Sequence, residues 1–152
     1  MIYRVFARSA VEVLPSMIAE HLHAVGLPVE PHFHGDALGW TRGQLVLPGG
    51  GTPVQLDRYL AKADDLRDDL NTFAAVLETM TYSPNHRQLM EHVIQTQQLF
   101  ACRKPLDHAD ESMLEKLCLT LAQFLAASTD GVYQIDTQGW FAANGELLLQ
   151  EY

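Results

Sequence analysis

His32-Phe33-His34 is the most metal-like pattern in the chain, because residues i and i+2 of a strand put both imidazoles on one face within reach of one ion. Asp36 offers a carboxylate two residues further on. A zinc site needs a third or fourth ligand, and no HExxH, CxxC or second strand-borne HxH supplies it. His21-Leu22-His23 does not serve, since i and i+2 on a helix diverge by about 200°. The densest charge run is Asp64-Asp65-Leu66-Arg67-Asp68-Asp69, with carboxylates one turn apart at Asp64/Asp68 and Asp65/Asp69. Acids in a first helical turn are favoured by the helix dipole, so N-terminal capping accounts for the run. Converging oxygens around a hard divalent ion are the alternative.

Over its six residues this run resembles the aspartate-rich DDxxD motif with which prenyl-diphosphate synthases hold magnesium. Those enzymes are all-helical and much longer, whereas the run here opens a short helix between strands and a helical layer. The resemblance therefore transfers neither their fold nor their reaction.

Other chemistry is weaker. Pro48-Gly49-Gly50-Gly51-Thr52 has the glycines of a phosphate loop without the Lys-Ser/Thr ending or a following helix, and it reads as a long hairpin loop. Cys102 stands beside Arg103 and Lys104, cations that favour a thiolate, but a nucleophile also needs a base held next to it. Cys118 falls on an apolar helix face and belongs to the core. Trp40, Trp140 and the glycine loop are contact-residue candidates.

The elements that position these residues follow from periodicity. Ile2–Ala7 alternates two largely apolar sets, as in a strand inside a sheet and covered on both faces. A helix from Leu14 or Pro15 to about Val25 is stopped by Gly26 and Pro28. Strands follow at Val29–His34, Trp40–Leu47 and Pro53–Tyr59. Asp64 or Asp65 then caps a helix with Leu66, Leu70, Phe73, Leu77 and Met80 on one face. A third helix is expected from Ser83-Pro84 to about Cys102, with Gln95–Gln98 on a polar side. The fourth, from Asp110 to about Ala127, is apolar on most of its circumference and should be the central helix. The C-terminus reads as three short strands, with Asn144-Gly145 as a hairpin turn. Trp140 and Phe141 must face opposite sides of their sheet.

The result is a single α+β domain over residues 1–152: an antiparallel or mixed sheet against a layer of three to four helices, ending in a three-stranded β-meander. The 152 residues carry a net charge of −9, from 19 acidic and 10 basic side chains, and the basic ones are scattered. Nucleic acid and anionic membrane are thereby disfavoured as partners. No signal-peptide core, membrane-span pattern or cysteine framework is present, so a cytoplasmic location is expected. With no converging catalytic set and no cofactor motif, the expected function is non-catalytic protein binding, of the accessory, adaptor or toxin-neutralising kind found in bacteria. The partner would be another protein, a basic one if Asp64, Asp65, Asp68 and Asp69 steer it, with Trp40 and the loops between residues 34 and 69 in contact. Homodimerisation is a third reading. The enzymatic alternative is a small metal-dependent hydrolase using His32, His34 and Asp36 or the aspartate run.

Overall fold

The computed structural model describes residues 1–106 and 110–152. Ile2–Ala7 forms β1, and its alternating side chains enter two cores: Tyr3, Val5 and Ala7 on one face, Phe6 on the other. Its neighbours are β5 (Gln98–Arg103) and β6 (Gly131–Ile135), both antiparallel to it. From β5 a meander of β4 (Val54–Leu60), β3 (Gly39–Val46) and β2 (Glu30–Asp36) runs to one edge. From β6 a second meander through β7 (Gly139–Ala142) and β8 (Leu147–Gln150) runs to the other. One eight-stranded sheet results, ordered β2-β3-β4-β5-β1-β6-β7-β8, with every neighbouring pair antiparallel. The α+β class and the C-terminal meander are as the sequence predicts.

The helices are shared between the faces. α1 (Pro15–Ala24) and α4 (Glu111–Ser128) cover the Tyr3 side; α2 (Arg67–Thr79) and α3 (His86–Ile94) cover the Phe6 side. This division follows from strands that are apolar on both faces, since each face must be shielded from water. α4 buries Leu114, Leu117, Cys118, Leu121, Ala122, Leu125 and Ala126, which makes it the main helix of the larger core. Trp140 packs on Phe6 and Phe73 on one side, while Phe141 stacks on Tyr133 on the other, as strand alternation requires. The Asn144-Gly145 turn is closed by the Asn144 side chain, whose Oδ1 accepts the Glu146 N–H at 2.9 Å.

Two boundaries correct the sequence reading. The third helix does not reach Cys102: α3 stops at Ile94, and residues 98–103 cross the middle of the sheet as β5. Leu99-Phe100-Ala101-Cys102 is a continuous apolar run, which a doubly covered strand and a buried helix share. Here Leu99 enters the Phe6 core, and Phe100 and Cys102 enter the Tyr3 core. The second correction concerns α2, which begins at Arg67 and has neither Asp64 nor Asp65 as its cap. Asp64 instead accepts the Leu60 N–H at 2.7 Å and closes the turn leaving β4. Among the described residues no helix is long and apolar enough to cross a membrane.

Candidate functional site

α2 and α3 cover only part of their face. Among the described residues, the core beneath them takes nothing from β2 or β3, so the outer meander presents that face without a helix over it. Directly paired residues in a ladder point to the same side. The register therefore lays His34, Arg42, Asp57, Ala101, Arg4 and Gln134 in one row from the β2 edge to β6. A second row runs His32, Gln44, Gln55, Arg103 and Ile2.

Asp57 organises this surface. Its side chain is only 5 % exposed, and its carboxylate accepts Arg42 Nε at 3.0 Å and Gln55 Nε2 at 2.9 Å, with Arg103 Nε 3.7 Å away. A buried carboxylate requires such partners, because isolated burial of a charge is costly. Arg42 and Arg103 are half exposed, and among the described residues their terminal Nη groups have no other hydrogen-bond partner. The acid thus fixes the Arg42 guanidinium by a hydrogen bond to Nε and draws Arg103 in as an ion pair, and it leaves the Nη ends of both half-exposed side chains unused. Arg4 is held separately by Gln134 and Asp136, with its guanidinium 5.2 Å from the Phe73 ring centre. Tyr59 lines two adjoining hollows. One, of about 440 Å³, is bounded by His34, Arg42, Asp57 and Asp64; the other, of about 280 Å³, by Arg4, Asp69, Phe73 and Arg103.

Part of the predicted set gathers here. His34 and Asp64 border the larger hollow and Asp69 the smaller, while Asp65 and Asp68 are exposed beside the start of α2. The metal set does not assemble. His32 lies 3.4 Å from Glu30, and Asp36 is engaged by the Leu38 N–H at 2.8 Å in the β2–β3 turn, beyond a register shift between His34 and Gly35. Among the described residues no three His, Cys, Asp or Glu side chains converge for a metal ion.

Trp40 is not a contact residue: it is 4 % exposed, packs against Phe33 and Phe100, and its Nε1 donates to the Val13 carbonyl at 2.7 Å. The register shift that pairs His34 with Arg42 but Gly35 with Trp40 leaves Thr41 as an extra residue in β3, and this bulge turns Trp40 into the larger core, opposite to Arg42. Cys102 is buried, and a hydrogen bond with Cys118, followed by burial itself, pushes its thiol above the ordinary range. Arg103 cannot activate it, because successive residues of a strand face opposite sides.

A further hollow, of about 480 Å³, lies between α4 and the C-terminal meander, against Tyr3, Tyr133, Gln123 and Phe141. Its charged groups are engaged elsewhere: Glu115 with Lys104 at 3.5 Å, Lys116 with the Val25 carbonyl at 3.3 Å. The Asp57 surface has the denser set of oriented donors.

No protein family, curated protein or solved structure matches this chain.

Sequence reasoning missed Asp57, Arg42, Arg103 and Arg4. A signal for Asp57 is present in β4, where Val54 and Leu56 alternate with Gln55 and Asp57, the mark of one buried and one polar face.

Proposed function

We propose that this protein is a non-catalytic binding protein, of accessory, adaptor or toxin-neutralising type, which docks a partner protein with a basic surface on the uncovered half of the sheet. The observation that carries this reading is the Asp57 carboxylate holding Arg42 and Arg103 with their donor ends free. That arrangement supports recognition, because the Asp57 carboxylate is itself occupied in orienting the two guanidinium groups. Beside it, Asp64, Asp65, Asp68 and Asp69 form an acidic rim on a chain of net charge −9, a field that draws a basic partner. At contact, the two guanidinium ends would select carboxylates or main-chain carbonyls within that basic surface and so fix the register.

Photo-crosslinking tests the assignment. A benzophenone amino acid at Gln44 or Gln55 should give a discrete heterologous adduct in cells, while the same group at Glu20, exposed on α1, should not. Reversing the charge of Asp64, Asp65, Asp68 and Asp69 should abolish the adduct and, with the isolated partner, slow association about tenfold or more at low salt. Equal crosslinking from Glu20, or an adduct indifferent to the reversal, would remove this face from consideration.

A further inference from the structure

Arg58 leaves β4 on the face opposite Asp57, and its side chain is 3 % exposed. Nε donates to Gln98 Oε1 at 2.8 Å, and Nη1 donates to the carbonyls of Leu38 and Trp40 at 3.2 and 3.1 Å. These acceptors are neutral. The nearest carboxylate oxygen, Glu12 Oε2, stands 4.0 Å from Nη1, beyond hydrogen-bond reach, and Nη2 has no acceptor among the described residues. A buried guanidinium is costly unless its charge and its donors are both matched. Burial pushes its pKa down while Glu12, Asp36 and Asp64 push it up, and an arginine remains charged under either influence.

Arg58 borders a hollow of about 190 Å³, whose other lining residues are Ala10, Leu38, Leu60, Lys62 and Gln97. Lys62 is exposed and has no ion pair among the described residues. Among the described residues the hollow is therefore bordered by two cations and by no carboxylate. Glu12 is the internal rival for the site: it approaches Arg58 across Gly39, where an added Cβ would lie 1.6 Å from Glu12 Oε2.

We propose that this hollow binds a small oxyanion, the carboxylate or phosphate group of a small molecule, which accepts from the unmatched Nη2 of Arg58 and from Lys62 Nζ. An acceptor with several oxygens suits the site, since it can take a hydrogen bond from the guanidinium and from the ammonium at once. The apolar sides, Leu38 and Leu60, would flank the uncharged remainder of the molecule.

The whole protein titrated with inorganic phosphate and with acetate, at ionic strength fixed by sodium chloride, provides the test. At least one anion should raise Tm in a concentration-dependent manner beyond chloride and shift the Arg58 Nε–H resonance. A response to phosphate alone assigns a phosphate-bearing ligand, and a response to acetate alone a carboxylate. Lys62→Glu, at an exposed position, should weaken binding about tenfold, whereas Glu12→Gln should strengthen it by removing the rival. Wild-type protein that responds to neither anion beyond chloride, or Lys62→Glu protein that binds as wild type does, overturns the proposal.

Discussion

Asp57 and Arg103 are diagonal neighbours: the ladder pairs Asp57 with Ala101 and Gln55 with Arg103, yet the Arg103 guanidinium reaches across to within 3.7 Å of the Asp57 carboxylate. The diagonal is short enough for a long side chain to bridge. Asp57 thereby serves two strands, β3 through Arg42 and β5 through Arg103.

Asp57→Ala should lower stability by about 1–3 kcal/mol, because it removes a nearly buried acceptor and leaves two cations and an amide without it. Arg42→Ala should cost less than about 1 kcal/mol, since that guanidinium is half exposed and screened. Urea unfolding of both variants measures the difference. A larger loss from Arg42→Ala would show that the carboxylate is not the organiser.

His92 gives the fold an acid-sensitive point. It is buried, its Nε2 donates to the Phe6 carbonyl at 2.8 Å, and burial lowers its pKa below the ordinary 6.5. Below that value the unfolded chain binds a proton that the folded chain resists, so stability is full above it and declines as pH falls toward the depressed folded value. His92→Gln should flatten the stability–pH curve below about pH 6.5. Denaturation midpoints across that interval report it, and an unchanged slope would refute the assignment.

Tyr3 is buried, and its hydroxyl has no hydrogen-bond partner among the described residues. Burial, reinforced by Cys118 and Glu115, pushes that hydroxyl well above the ordinary tyrosine range. Tyr3→Phe should therefore be neutral or stabilising by up to about 1 kcal/mol, the reverse of the usual loss. The same shift makes the wild type lose stability as pH rises past about 10, a decline the Phe variant should lack. Thermal unfolding at neutral and alkaline pH separates the two effects.

Gly139 opens β7 at φ 143°, and a Cβ there would lie 2.2 Å from the Leu149 carbonyl oxygen. Gly139→Ala should cost roughly 2–3 kcal/mol, as overpacking added to an unfavourable backbone angle. Amide exchange should locate the damage, quickening in β7 and β8 while β3 and β4 keep their protection. Uniform quickening would mean that the meander does not open on its own.

The sequence reveals the frame better than the surface. Helix α2 is legible because Leu70, Phe73 and Leu77 recur at helical spacing, and the Asn144-Gly145 turn because its chemistry is local. β5 is not legible: Gln98–Arg103 has no alternation, since both faces are covered, and its helical or extended state is decided by strands far away in sequence. The same holds for Asp57, whose partners Arg42 and Arg103 are distant along the chain and adjacent only through register. The burial of Trp40 is not legible for a related reason, because an aromatic on a strand reads alike whether it faces a core or a partner. Arg58 likewise gives no warning, since burial of a cation depends on Gln98 and on the carbonyls of a turn folded over it.

The placement of β1 has a consequence for how the molecule comes into being. Tyr3 pairs with Cys102 on one side and with Ile135 on the other, so β1 has no sheet neighbour until about a hundred further residues have followed it from the ribosome. The β2–β3–β4 meander assembles early from contacts close in sequence, but its inner edge at β4 stays bare until β5 emerges. Closure of the sheet is thus a late step with long loops to close, which makes folding slow and leaves Ile2–Ala7 exposed to chance strand pairing, a stage at which chaperone protection counts most.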